Sequence, residues 1–578
     1  MATHPHVIPQ AAADAAGPRG LVHGLLDAAA ADAPDRPAVR DSTGSWTYAQ
    51  LAHHSRAFAS WLAARGVRPG DRLLVQLPSS RHLAAMFYGT VSRGAVFVPV
   101  NPAMKPFHLR SVAADAEPAL VLTDTAGVAR LRAVTTAPVH DVTEVWATPE
   151  AEPAPTAGSE VSAGVVAASG VVEAGAGSTA GRQLLAASDV AEAEPASIAG
   201  SEVSPGVVAA SDVPASIAGA ELAADPVAPS DVATLIYTSG STAAPKAVVC
   251  PHSAVVFAAE ALVHALGYRA DDVVFCRFPM SWDYGLYKVL MTCIARCEIV
   301  LADGESDFTL LRRMRETGVT VVPIVPSLAS MIVGLARRDT GDRPPVRLFT
   351  NTGAALPAAT ITALRDLFPG ARVVRQYGQT EAKRITVMPA EEELERPDSV
   401  GRPLPGTEVL ILDEAGRPLP PGETGEIVVT GPHVMSGYWR NPEATARSFR
   451  PDPAGRGLRL HTGDYGSLDA DGYLYFQGRR DDMFKRKGFR MSTVEIESAA
   501  LDIPGVRAAA ALPPDDRHDL TLFVESDLSP RTVTRELMQR LEVAKMPAEC
   551  RVLSEFPLTP HGKNARRELA QLLEVGRR

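Results

Sequence analysis

Cysteine is scarce in this chain. Cys250, Cys276, Cys293, Cys297 and Cys550 are the five cysteines among 578 residues, too few and too scattered for a disulfide-stapled scaffold. Cys293 and Cys297 stand four apart, but no His or Cys pair follows at zinc-site spacing, so buried thiols explain them better than a metal site. Aromatic residues make up only 6%. Long apolar runs are missing as well. Residues 319–336 are uncharged, but Pro323 and Pro326 interrupt them, and a core strand leading into a helix accounts for the stretch better than a membrane span. The first twenty residues lack the basic-then-apolar order of a secretory leader. Positive charge is not in excess either: 57 Lys and Arg face 67 Asp and Glu, which excludes a nucleic-acid-binding field. A cytoplasmic location is the expectation.

What is present is ordinary for a soluble globular protein: 46% hydrophobic and 21% charged residues. The length suits roughly three or four domains. One segment stands apart. Residues 151–230 contain no Phe, Trp or Tyr, and hold ten acidic residues against one arginine. The segment also repeats itself: 157–169 and 199–211 differ only at Ala163 versus Pro205, and 195–200 recurs as 214–219. Such a composition buries too little apolar surface to offset the entropy of ordering, so a disordered insert is predicted there.

Elsewhere the pattern alternates. A helix is predicted over 21–35 and a second from about 48 to 65, with Thr47 as N-cap and Gln50 three residues on, as in a capping box. A strand over 72–77, a helix over 81–92 and a strand over 95–100 follow, which argues for a parallel sheet covered by helices. After the insert, 232–236 reads as a buried strand. Tyr237, Thr238, Ser239, Gly240, Ser241, Thr242, Ala243, Ala244, Pro245 and Lys246 come next. Hydroxyls, backbone N–H groups freed around a glycine and one cation could cradle a polyphosphate there, although a plain Ser/Thr-rich turn has the same composition. Further on, 253–266 is helical in pattern and 273–278 strand-like. Strand–helix units are predicted over 319–336 and 346–367, and a strand over 372–376. Near the C-terminus a helix is expected over 492–501, strands over 508–512 and 521–524, and a helix over 530–544.

The polar loop is followed, in a fixed order, by Thr352-Gly353-Ala354-Ala355-Leu356, Tyr377-Gly378-Gln379-Thr380-Glu381, Thr462-Gly463-Asp464, Gly478-Arg479-Arg480-Asp481 and Pro560-His561-Gly562-Lys563. This series resembles the core motifs of the AMP-forming adenylating enzymes: acyl-CoA synthetases, adenylation domains of peptide synthetases, and luciferases. The resemblance covers nearly the whole chain outside the insert. It implies an α/β fold: a large N-terminal domain (1–478) of two parallel-rich sheets with helices plus a small β-barrel around 422–438. A mobile α+β C-terminal domain (479–578) would follow.

The resemblance also implies an activity. A carboxylic acid and ATP would give an acyl-adenylate and pyrophosphate, then a thioester, with CoA as the expected acceptor. A separate carrier protein, an amine, or an unusual oxyacid such as nitrite remain alternatives, as does a non-catalytic nucleotide-binding relative. Since the sequence ends at Arg578, soon after Lys563, no fused carrier domain is expected. ATP, Mg²⁺ and CoA are the implied small molecules, with no nucleic acid partner.

By motif position, Thr238, Ser239, Gly240, Ser241, Thr242 and Lys246 would hold the leaving phosphates. Thr380 would contact the α-phosphate and Glu381 would bind Mg²⁺. Gly353, Ala354, Ala355, Tyr377 and Gly378 would frame the adenine. Asp464, helped by Arg479, would accept the ribose hydroxyls. Lys563 would pair with the carboxylate and α-phosphate. Asp481 matches the hinge, and Lys487 with Gly488 the loop near the acceptor thiol.

The substrate pocket is assigned to Trp282, Asp283, Tyr284, Asn351, Gln376 and Lys383. Trp282 and Tyr284 read either as core aromatics or as a pocket rim. The rim is favoured because Asp283 between them is hard to bury unpaired. Gln376, where many relatives carry glycine, with Lys383 and Arg384 close behind, points to a short or polar acid. Ala243 and Ala247 stand where the family usually has glycine, at a cost of about 1 kcal/mol wherever φ must be positive.

Overall fold

The computed structural model describes residues 20–104, 106–146, 227–238, 245–302, 304–479, 483–486, 489–515, 518–541, 545–558 and 565–575. The insert predicted over 151–230 therefore lies almost entirely outside the described residues.

Local signals act as expected near the N-terminus. Thr47 caps the helix Tyr48–Ala64, and Gln50 completes the reciprocal capping box. Ser80 caps Arg81–Ser92 by accepting from the Leu83 N–H. Between these helices run short strands buried on both faces, such as Arg72–Gln76 and Val96–Pro99, the composition required of a parallel sheet covered on both sides.

Two such sheets form the body. The six-stranded sheet runs Val139–Asp141, Leu120–Thr123, Arg72–Gln76, Val96–Pro99, Val232–Thr238 and Lys246–Pro251. Its pairs are parallel except the last, an antiparallel hairpin in which Thr238 faces Lys246. The nine-stranded sheet runs Arg402–Pro403, Thr386–Val387, Arg372–Tyr377, Leu348–Asn351, Val321–Ile324, Val273–Cys276, Glu298–Leu301, Pro37–Asp41 and Gly44–Thr47. It is parallel from Arg372–Tyr377 through Pro37–Asp41 and antiparallel at both edges. One large apolar core draws on residues of both sheets and their helices. Ligands of open parallel sheets bind beyond the carboxyl ends of the strands, and the loops after Val232–Thr238, Leu348–Asn351 and Arg372–Tyr377 carry the motif residues.

A five-stranded antiparallel sheet follows, built around the long strand Leu458–Leu468. This is the place of the expected barrel, and among the described residues its strand pairings form an open path. The C-terminal unit has a three-stranded sheet, Val506–Leu512, Thr521–Ser526 and Glu549–Leu553, with its own apolar clusters. Two of its elements, Glu549–Leu553 and the helix Arg566–Val575, had no distinct pattern in the sequence.

The helix expected over 530–544 ends at Leu537. Beyond it the N–H groups of Gln539 and Arg540 bond three residues back, to Glu536 and Leu537. That tightening still buries Leu541, so the apolar spacing continues while the α-helix does not. No helix among the described residues is long and apolar enough to cross a membrane.

Candidate active site

Three strand ends converge here. From the six-stranded sheet come Thr238 and Lys246. Lys246 opens a strand instead of closing a loop, because the hairpin pairs it with Thr238. Ala247 sits within that strand opposite Tyr237, an extended position in which alanine carries no left-handed penalty. The Lys246 Nζ lies 5.6 Å from the Tyr438 ring centre. The Tyr438 hydroxyl donates to Glu381 Oε1 at 2.7 Å. Glu381 sits in the short turn Thr380–Ala382, and its carbonyl accepts from the Met435 N–H. The hairpin, the Tyr377–Glu381 motif and the segment before Tyr438 are therefore locked together around one cation and one carboxylate.

From the nine-stranded sheet, Tyr377 ends its strand and donates its hydroxyl to Asp464 Oδ2 at 2.7 Å. Burial, then the Asp464 carboxylate, raise the Tyr377 phenol well above its ordinary value, so it remains a donor. Arg479 approaches Asp464 Oδ1 at 3.2 Å. Gly353, at φ +85°, and the exposed Ala354 and Ala355 form the open loop alongside. Gly378 is a packing necessity, since a Cβ there would come within 2.5 Å of the Lys383 carbonyl oxygen.

The third group is the one whose chemistry was least evident. Asp283 is the first residue of the helix Asp283–Ala295, where the helix dipole favours an anion. Its Oδ2 accepts from Lys383 Nζ at 2.9 Å, with the two side chains 19% and 2% exposed. Burial opposes ionisation of Asp283, but Lys383 and Arg384 outweigh it and hold the carboxyl below its usual range. Burial brings Lys383 down to about 7 against the pull of Asp283. Lys383 adopts φ +44° and ψ −78°, a sparsely populated conformation for a side-chain-bearing residue. Arg384 is also buried, and its Nη1 donates to the Lys383 carbonyl at 2.6 Å.

Tyr284 corrects the rim assignment. It is 5% exposed, and its hydroxyl donates to the Thr350 carbonyl at 2.7 Å. It is a packed core aromatic, because the helix brings its ring under the pocket while Trp282 remains half-buried at the edge. The Tyr284 ring faces three basic groups: Lys288 Nζ and Arg384 Cζ each lie 5.0 Å from its centre and Lys383 Nζ 5.9 Å, with burial pushing Lys288 well below its ordinary value. Lys288 and Tyr287 belong to this cluster, and nothing in the sequence singled them out. Their spacing from Asp283 along one helix was the available signal, but a run of apolar neighbours masked it.

Unsatisfied polar atoms mark the pocket elements. Both amide atoms of Gln376, Oδ1 of Asn351, Oγ of Ser281 and the Tyr287 hydroxyl are buried without a hydrogen-bond partner. Buried polar groups ordinarily find partners; other such atoms are spread through the described residues, and these five are the ones on the elements that carry the pocket residues. Ser239, Gly240, Ser241, Thr242, Asp481, Lys487, Gly488 and Lys563 lie outside the described residues.

A body of two parallel-rich sheets, with Asp464 and Glu381 brought to neighbouring strand ends and a lysine-bearing hairpin beside Glu381, has the fold of the adenylating enzymes. The chain belongs to the AMP-binding enzyme family, whose model matches residues 26–439. Among curated relatives, it is 31% identical to the probable non-canonical nonribosomal peptide synthetase CymA of Salinispora arenicola (strain CNS-205), over 94% of this chain and 6% of that protein. It is 27% identical to 4-coumarate–CoA ligase-like 4 of Oryza sativa subsp. japonica, over 91% of this chain and 88% of the relative. Among solved structures, VinN in complex with L-aspartate is 47% identical with a TM-score of 0.63, over 79% of this chain and 98% of that one. The chain spans only 6%, 40% and 10% of the first three curated relatives it matches.

Proposed function

We propose that this chain adenylates an acidic amino acid of the aspartate type and passes the aminoacyl group to the thiol of a carrier protein. The observation that carries this reading is the Asp283–Lys383–Arg384 cluster. Asp283 offers a carboxylate to an ammonium group. Arg384 is a buried guanidinium bonded to a carbonyl rather than to a carboxylate, and a buried charge of that kind is costly until an anion joins it. An amino acid with a second carboxylate meets both needs. The complexes of VinN with L-aspartate and with 3-methylaspartate support the same substrate class.

In the reaction, an oxygen of the remaining substrate carboxylate forms a bond to the α-phosphorus of ATP, and the bond from that phosphorus to the β-phosphate bridge breaks, releasing pyrophosphate. Two anions must be brought together, so the protein contributes charge neutralisation and alignment. Lys246 and Thr238 flank the leaving phosphates, Asp464 accepts from the ribose, and Lys563 pairs with the reacting oxygens. Glu381 fits a Mg²⁺ ligand: one of its oxygens is held by Tyr438 and the other is left for a cation. Mg²⁺ bound there would supply positive charge to the phosphates. Coenzyme A is the second acceptor in view, favoured by the near full-length match to a plant CoA ligase-like protein.

Substrate-dependent ATP–pyrophosphate exchange tests the reading across short aliphatic, aromatic, neutral amino, acidic amino and inorganic acids. Acidic amino acids should lead the panel, and thioester mass should appear on a pantetheinylated carrier in preference to CoA. Exchange led by aromatic or fatty acids, or absent throughout, would overturn it.

A further inference from the structure

We propose that Lys383 is a built-in stand-in for the substrate's ammonium group, and that its transfer from Asp283 to an incoming carboxylate makes the pocket demand both groups at once. The inference rests on the amino-acid reading above and adds a selection rule to it.

The rule follows from how few anions the cluster holds. Among the described residues the Lys383 ammonium pairs with one carboxylate, Asp283, at 2.9 Å. Around the same Tyr284 ring stand Lys288 and Arg384, each at 5.0 Å. Both face the same single carboxylate, Asp283, without bonding it: the polar neighbour of Lys288 Nζ is the Met291 sulfur at 3.6 Å, and Arg384 bonds the Lys383 carbonyl. Lys383 cannot retreat to solvent, because its side chain is 2% exposed and packs over the Tyr287 ring at 4.2 Å. Its backbone is held at positive φ by a tight turn, in which the Ala382 N–H bonds Gln379 and the Ile385 N–H bonds Tyr377.

An ammonium group entering against Asp283 therefore adds a further cation beside one carboxylate. If it brings no anion, either Lys383 is pushed off and gives up its proton, its value lying near 7 even beside Asp283, or the newcomer shares a carboxylate already taken. A diacid without an amine fails in the opposite way, drawing Lys383 across and leaving Asp283 without the cation bonded to it, with only Arg384 nearby. A substrate carrying both groups exchanges one ion pair for two, and no charge is left alone. Simple recognition would add the contributions of amine and carboxylate. Exchange makes each depend on the other.

The test is ATP–pyrophosphate exchange with L-aspartate, succinate, L-alanine and β-alanine, the last two being aspartate less one carboxylate or the other. It is run on the wild type and on Lys383→Met, with Lys383→Gln as a second variant should the first fold poorly. AMP binding by each variant serves as the folding control. With the stand-in removed, kcat/KM for L-aspartate is expected to fall about 100-fold. For the better of the two alanines it should rise at least about tenfold above wild type, because nothing then competes for Asp283. If aspartate falls and neither alanine rises, Lys383 is an ordinary carboxylate contact and this inference is overturned while the substrate reading stands. If the wild type gives no aspartate-dependent exchange, both fall. A crystal of the aspartate complex offers an independent readout: Lys383 Nζ should have left Asp283 for the substrate carboxylate, and an unchanged Lys383–Asp283 pair would overturn the exchange.

Discussion

Replacing Arg384 with methionine removes a buried guanidinium while keeping most of its apolar stem. Arg384 is 4% exposed, and its hydrogen bond is to the Lys383 carbonyl. In the empty pocket a modest loss of stability is expected, since Arg384 is one of two charges that steady the Asp283 carboxylate and Lys383 is the one bonded to it; a change in melting temperature of a few degrees follows. With substrate present the loss is large, because one partner of a buried charge pair disappears at about 3–5 kcal/mol. Lys383 shares the same carboxylate, so the lower end applies, and at about 1.4 kcal/mol per decade kcat/KM for L-aspartate should drop roughly 100-fold. Arg384→Lys should recover part of it, as a point charge lacking the forked geometry. The assay is ATP–pyrophosphate exchange with L-aspartate and L-alanine in parallel, beside AMP affinity, which should hold constant. An Arg384→Met protein that keeps its wild-type preference for aspartate over alanine would refute the assignment of Arg384 to the second carboxylate.

Asp464→Asn should raise the KM for ATP about 10- to 100-fold, since hydrogen bonds to a charged acceptor contribute about 1.5–3 kcal/mol. The KM for the acid should change little, and an equal rise in both would argue against a ribose role. Gln376→Gly should relax the pocket toward longer acyl chains in a chain-length series, because an amide with two unpartnered atoms is then gone. A wild type already favouring long chains would count against the polar-pocket reading. Acid sensitivity has a worked sign. His252 and His433 are fully buried, and burial lowers each to about 4, below the ordinary value of about 6.5. As pH falls below about 6.5 the unfolded chain takes up protons first, so stability is complete above that value and lost toward pH 4. Each histidine then costs about 1.4 kcal/mol per pH unit. Denaturant unfolding of the large domain at pH 7 and pH 5 measures this, and coincident curves would refute it.

Motif residues on strand ends were legible because turn chemistry is local. The capping box of Thr47 and Gln50 and the strand–loop placement of Tyr377 and Asn351 each depend on neighbours a few residues away. The aromatic-poor composition of residues 151–230 is likewise read from the sequence alone, and the segment lies almost entirely outside the described residues. Other features answer to contacts that spacing does not encode. Continued apolar period over 533, 537 and 541 predicted a longer helix than the tightened turn after Leu537 allows. Tyr284 looked free to rim the pocket until the Thr350 carbonyl supplied its partner. Lys288 was invisible among apolar residues on a buried helix face.

The sequence by itself determined the family, since short motifs in a fixed order are local and can be read without any tertiary contact. Only the tertiary structure brought together the charges on which the proposed acidic amino acid rests. Asp283 and Lys383 are separated by 100 residues, and their charges bear on each other only because a helix N-terminus and a tight turn bring them together inside a low-dielectric interior, where an unpaired charge is expensive.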